Sequence, residues 1–253
     1  ELPKYLKGKN MKDYLLDLIQ HTYGLGVIEL VKVEGTDTET KISAYAEDKT
    51  VIVTGTFKTP IDGFQGVFGM PNLSKLKTIL SFDDYDDNAK ITVNKKDENG
   101  VQVPTTIHFE TQVGDFVNDY RLMSRAIVDD KVKTVTFKGA TWDVEFEPTV
   151  AGIMRLKKQA SANSEELNFV TKTDNGDLKI YFGDHSTHSG NFVFQPGVGG
   201  TLNKAWNWPV KVFLAIMDLP GDKVVRFADA GAAEITVDSG IANYRYLLPA
   251  QAK

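Results

Sequence analysis

Asp119-Tyr120-Arg121-Leu122-Met123, near the middle of the chain, and Asn243-Tyr244-Arg245-Tyr246-Leu247, at its end, read as one phrase written twice. The two stand 124 residues apart in a chain of 253. Neighbouring segments pair in the same order. Lys90-Ile91-Thr92-Val93 has a counterpart in Glu234-Ile235-Thr236-Val237, and the helix-like stretch Pro71–Ser81 has one in Pro209–Asp218. Self-similarity of this kind marks a chain built from copies of one supersecondary unit. Two such halves, each too small for a catalytic cleft of its own, point to assembly of copies before they point to chemistry.

Working outward from the repeat, each half yields two helical stripes and many strands. Tyr14, Leu15, Leu18 and Ile19 give the i, i+3, i+4 spacing of an amphipathic helix over 11–22, with Gly24 and Gly26 to stop it. Strands are expected at 27–33, 41–46, 50–57 and 66–68. Asn72 is then expected to cap a second helix with an apolar face of Leu73, Leu76, Ile79 and Leu80. Strands at 89–94, 105–111 and 116–124 complete the first half. The second half repeats the order. A strand at 141–146 leads to Pro148, which opens a helix through Val150, Ile153 and Met154; strands follow at 166–171, 178–182 and 191–194. Trp206 and Trp208 alternate as core or interface residues of a strand. A helix over 209–218 then precedes strands at 223–228, 232–237 and 243–248. Helices separated by runs of antiparallel strands predict an α+β fold, with two domains at 1–126 and 140–253 and a connector at 127–139.

The helix-like segments 10–22, 71–81, 149–161 and 209–218 hold seven cations, Lys12, Lys75, Lys77, Arg155, Lys157, Lys158 and Lys211. Against these stand three anions, Asp13, Asp17 and Asp218, so the helices carry +4 and the remaining chain −9 of the total of −5. Lysines on solvated helix faces would account for the counts. A basic helical surface on an acidic body would account for them too, and would attract phosphates without reading bases.

Several segments together resemble PCNA-type DNA sliding clamps. Gly69-Met70-Pro71-Asn72-Leu73-Ser74-Lys75-Leu76-Lys77-Thr78-Ile79-Leu80 is similar to the second inner helix of that family. Val117 to Met123 resembles the last strand of its first domain, and Asp143 to Pro148 the entry to its second. Tyr246-Leu247-Leu248-Pro249-Ala250 resembles its C-terminal strand. The stretches Pro220-Gly221, Gly231-Ala232-Ala233 and Ala242-Asn243-Tyr244 resemble the clamps of T-even-type tailed phages in particular. The turn at 83–88, the region 187–200 and Pro71 depart from the pattern.

The resemblance implies a two-domain chain that closes a ring of three copies around duplex DNA, helices inside and sheets outside. It implies a non-enzymatic processivity factor that tethers a DNA polymerase and is opened by a clamp loader. The seven helix cations would face the DNA, with Lys9 and Lys204 flanking them. Partner peptides would dock in a pocket made by Ala46, Val51, Val132, Val135, Phe137, Tyr246, Leu247, Leu248 and Pro249. Copies would join edge to edge between 116–124 and 188–195, through Val117, Tyr120, Leu122, Asn191 and Val193. The alternative is a non-enzymatic viral structural or binding protein rich in β-structure.

Other chemistry finds no support. There is no cysteine, which excludes disulfides and thiolate metal sites. His185 and His188 beside Asp184 lack further ligands, and Asp84–Asn88 misses the glycine and glutamate positions of a calcium loop. Gly197-Val198-Gly199-Gly200 is not followed by the Lys-Ser/Thr of a phosphate loop. No nucleophile elbow is present. No cofactor or metal is therefore expected, nor a membrane span or signal peptide. A cytoplasmic protein is expected, in the host cytoplasm if the source is a virus.

Overall fold

The computed structural model describes residues 9–252; the charged start read as no signal peptide, residues 1–8, lies outside the described residues. In chain order the elements are helix α1 (Met11–His21), strands β1 (Val31–Gly35), β2 (Thr40–Tyr45), β3 (Ile52–Phe57) and β4 (Gly66–Met70), and helix α2 (Leu73–Leu80). Then come β5 (Lys90–Glu98), β6 (Val101–Glu110), β7 (Val117–Arg121), α3 (Arg125–Lys131), β8 (Val144–Phe146) and α4 (Val150–Ala162). The chain ends with β9 (Asn168–Asp174), β10 (Asp177–Phe182), β11 (Gly190–Gln195), β12 (Asn207–Pro209), α5 (Val210–Met217), β13 (Asp222–Ala228), β14 (Ala232–Asp238) and β15 (Ala242–Pro249). The fold is α+β with antiparallel sheets.

The repeat seen in the sequence is a repeat of topology. In the first half β4-β1-β2-β3 pair in that order, and in the second half β12-β9-β10-β11 pair in the same order. The hairpin-linked sets β5-β6-β7 and β13-β14-β15 are likewise equivalent. One joint breaks the symmetry. β3 of the first half pairs with β15 of the second, from Ala242 opposite Phe57 to Leu247 opposite Ile52, which fuses the two halves into one eight-stranded sheet. Among the described residues no strand plays the same part for β7 or β11, which stand at the free ends of the other two sheets.

The helices lie in a row. α2 packs on α1, the 3₁₀ turn Tyr23–Leu25 that follows α1 packs on α5, and α5 packs on α4. Their apolar stripes and the inward residues of the strands form one continuous core, which includes Leu15, Leu76, Leu156 and Phe213. Burial of this apolar surface is the main favourable contribution to folding. The opposite face of the sheets is the outer face.

Three expectations need correction. Asn72 does not cap α2 through its side chain; it sits in the left-handed region at φ 47° and makes no capping hydrogen bond. β5 and β6 extend well beyond 94 and begin well before 105. Asn99 and Gly100, both at positive φ, form the two-residue turn that a right-twisted hairpin favours. Residues 125–131, which include the start of the expected 127–139 linker, form a helix, α3. Val128 of α3 is fully buried against Gly69, where even a Cβ would come within 2.9 Å of its Cγ2. Lys32 on β1 reaches Asp129 of α3 at 2.8 Å and holds its carboxyl below the ordinary range.

Candidate nucleic-acid interface

The structure sets the helix cations and anions in different surroundings. All three helix anions have partners within the chain. Asp13 takes the Asn10 amide at 3.0 Å in a reciprocal capping box. Asp17 is buried beneath β15, and Asp218 pairs with Lys157. Among the described residues, Lys75, Arg155, Lys158 and Lys211 are exposed on the helices with no ion-pair partner. Lys77 is exposed too, its ammonium 5.6 Å from the centre of the Tyr23 ring. The solvent side of the helical row thus carries five exposed cations without an ion-pair partner among the described residues, Lys75, Lys77, Arg155, Lys158 and Lys211. Lys12 differs from the rest: it is half-buried and donates to the Tyr85 carbonyl at 2.6 Å. Lys204 stands 6.0 Å from the Trp206 ring and Lys9 is exposed. Trp208 is buried and donates to Thr171 Oγ1 at 2.9 Å, while Trp206 donates to the Asp229 carbonyl at 2.8 Å.

The joint between β3 and β15 is sealed by a knot of polar groups under the sheet. Tyr244 donates its hydroxyl to Asp17 Oδ2 at 2.7 Å, and Ser239 donates to the same oxygen at 2.9 Å. The Tyr244 ring stacks on His21, centroids 4.4 Å apart and planes 2° from parallel. Tyr246 donates to the His21 carbonyl at 2.5 Å. Burial, and then the Asp17 charge, push both phenols well above their ordinary pKa. Gly55, opposite Tyr244 on β3, leaves room for the ring: a Cβ there would lie 3.0 Å from Tyr244 Cδ1.

At the free edges, Val117 is exposed on β7, and Asn191 and Val193 are exposed or half-exposed on β11. Tyr120 and Leu122 correct the expectation at the level of side chains. Both are buried in this chain's own core, and Tyr120 donates to the Pro71 carbonyl, so what they offer a second copy is backbone. On the outer side of this edge His108 of β6 lies between Asp119 of β7, at 2.7 Å, and Glu110, at 3.1 Å. Hydrogen bonds to Asp119 and then Glu110 raise its pKa above 6.5. A raised histidine pKa adds stability that is fully present below the unfolded value and is lost as pH rises through the folded one. Denaturant titrations are therefore expected to show a small loss of stability as pH rises above about 6.5, and His108→Gln should abolish that part of the pH dependence. In the loop after β10, His185 and His188 are exposed, and Asp184 accepts from the Ser186 amide at 2.8 Å.

No family model and no curated protein matches this sequence. Solved structures do. A chain of the structure "C-terminal region of FEN-1 bound to A. fulgidus PCNA" superimposes with a TM-score of 0.66 at 11% identity, covering 94% of this chain and 96% of that one. The chain has a PCNA-like fold.

On the outer face of this PCNA-like fold, the candidate peptide pocket is rearranged. Strand alternation turns Tyr246 and Leu248 inward with Tyr244, and Ala46 and Val51 are likewise buried in the core. These four cannot line an outer pocket in this arrangement. Leu247 faces out beside its cross-strand partner Ile52, with Pro249 half-buried further along. Val132 is buried, Val135 is exposed, and the Phe137 ring lies 5.0 Å from the Arg245 guanidinium and 6.2 Å from Trp142. Tyr45 fixes the connector, donating to the Lys131 carbonyl at 2.7 Å and accepting from the Lys133 amide at 3.2 Å. Tyr45, Ile52, Trp142 and Arg245 lie outside the expected set. The period-2 alternation of β2, β3 and β15 places the first, second and fourth of these on the outer face. Arg245 also ends a charge ladder across four strands, Glu145–Arg226–Glu234–Arg245.

Among the described residues no helix is long and apolar enough to cross a membrane.

Proposed function

We propose that the protein is a DNA sliding clamp: a ring of three copies that encircles duplex DNA and tethers a DNA polymerase. One observation carries the reading. Among the described residues the chain closes one joint within itself, β3 on β15, and leaves one edge free on each of the two strands that repeat that joint, β11 and β7. Unpaired edges invite pairing, and a head-to-tail contact of this kind closes into a ring. The exposed cations of the helical row support duplex DNA as the cargo. Contacts to phosphate without base reading allow sliding. The similar structure is titled as PCNA with part of FEN-1 bound, which supports partner binding by this chain; polymerase and a clamp loader would dock on the outer face around the connector. Pro220-Gly221, Gly231-Ala232-Ala233 and Ala242-Asn243-Tyr244 support a phage-type clamp, acting where the host cytoplasm holds the replicating DNA. Nothing in this reading calls for catalysis, a metal or a cofactor.

Threading tests it. The protein is mixed with linear duplex DNA and both ends are then blocked with bulky protein. A clamp stays on the DNA through a high-salt wash and leaves when the duplex is cut once. Release by salt alone, with no effect of cutting, would contradict it.

A further inference from the structure

The closed joint is a template for the contact between copies, and strand pairings alone carry its register across. A shift of 138 residues takes the pairs Glu34–Lys41 and Val33–Ile42, in β1 and β2, to Lys172–Lys179 and Thr171–Ile180, in β9 and β10. Thr56 and Gly55, opposite Lys41 and Ile42, therefore correspond to Val193 and Phe192, opposite Lys179 and Ile180. In the other set of strands, Tyr244 lies opposite Val237 and Asn243 opposite Asp238. Tyr120 lies in the same way opposite Ile107, and Asp119 opposite His108. Since Asn243 meets Thr56 in the closed joint, one row of the outer face runs Asp238, Asn243, Thr56, Lys41, Glu34 across β14, β15, β3, β2 and β1. The same register between copies sets Asp119 opposite Val193. The row then runs His108 and Asp119 from one copy into Val193, Lys179 and Lys172 of the next.

Charge is distributed differently in the two rows. In the closed row the single cation, Lys41, has Glu34 on one side and Asp238 on the other. In the open row Lys172 stands where Glu34 does, and Asp119 where the neutral Asn243 does, so cations gather at one edge and anions at the other. Lys172 and Lys179 lie directly opposite each other, an arrangement of like charges that costs stability, and Asp174 approaches Lys179 only to 3.7 Å. Asp119 is exposed on β7 and shares His108 with Glu110. Two carboxylates around one imidazole leave that edge anionic whether or not the ring is protonated. In the joined sheet Asp119 and Lys179 would stand two strands apart, about 10 Å between backbones. The closed joint already holds an ion pair of this reach: Lys58, just past β3, meets Asp238 of β14 at 2.7 Å, with β15 between their strands.

We infer that Asp119 of one copy pairs with Lys179 of the next across Val193, and that this pair selects the head-to-tail contact on the outer face. Two β7 edges brought together would oppose carboxylate to carboxylate, and two β11 edges would oppose lysines to lysines. Opposed charges favour the right partner and like charges suppress the wrong one. The inference rests on the ring reading and adds to it which residues select the contact.

The test is light scattering over a concentration series at low salt for the unaltered chain, Asp119→Lys, Lys179→Glu and the double variant. Lys41→Glu serves as the control, because Lys41 is the counterpart of Lys179 and its strand neighbours lie within its own chain. Each single reversal at the seam should raise the concentration for half-assembly by about fivefold or more. The double variant should recover most of the loss, which no misfolded pair of singles would do, and Lys41→Glu should change little. High salt should narrow the gap between the singles and the unaltered chain, since exposed charges are screened. Assembly of the unaltered chain with no loss in the singles, or with no recovery in the double variant, overturns the pairing and leaves the ring standing. An unaltered chain that stays monomeric throughout overturns both.

Discussion

Replacing Asp17 with alanine is expected to destabilise the protein by about 3 kcal/mol or more, since hydrogen bonds to a charged acceptor contribute about 1.5–3 kcal/mol each and two donors are left without theirs. The donors are the Tyr244 and Ser239 hydroxyls, which share Oδ2 at 2.7 and 2.9 Å. Little water reaches the site: Tyr244 is 1% exposed, and Asp17 itself only 9%. The damage should be local to the joint between halves, because Asp17 comes from α1 and its partners from the far end of the chain. Urea titration by circular dichroism measures the loss. Hydrogen exchange should show β3 and β15 opening first. By contrast, Tyr246→Phe removes one hydroxyl together with its need for a partner and should cost only about 1 kcal/mol. Equal losses in the two variants would refute the view that Asp17 is the centre of the joint.

The second large effect concerns DNA. Lys75, Lys77 and Lys211 are exposed on α2 and α5, away from the Lys157–Asp218 pair. Converting all three to alanine should leave assembly intact while weakening DNA association steeply at low salt. Removing one lysine–phosphate pairing should reduce the slope of log affinity against log salt by about 0.9, so the triple variant should show a slope smaller by nearly 3. Fluorescence anisotropy with duplexes of unrelated sequence checks both points. The weakening should be equal across sequences, because phosphate contacts carry no base information. An unchanged salt slope would show that these lysines do not face DNA.

The four inner helices are legible in the sequence because each has an apolar stripe long enough to see. So is the architecture, because Tyr120-Arg121 and Tyr244-Arg245 mark equivalent strands. What is not legible depends on contacts between distant residues. α3 offers one fully buried side chain, Val128, and is fixed by Lys32 from another strand; no local pattern announces either. Lys12 counts as a free cation in any tally of charge, yet the Tyr85 carbonyl takes its ammonium. Family resemblance places Tyr246 and Leu248 on the outer face, although the alternation Ala242, Tyr244, Tyr246, Leu248 already reads as an inward row. The turn Asn99-Gly100 is likewise a readable hairpin signal.

Copies are expected to join through the free edges β7 and β11 into a closed ring. Negative-stain electron microscopy at a protein concentration that favours assembly tests it most directly. Particles of three copies of the 28.0 kDa chain around a central hole wide enough for duplex DNA are expected. Compact particles without a hole, or single chains at every concentration, would contradict it.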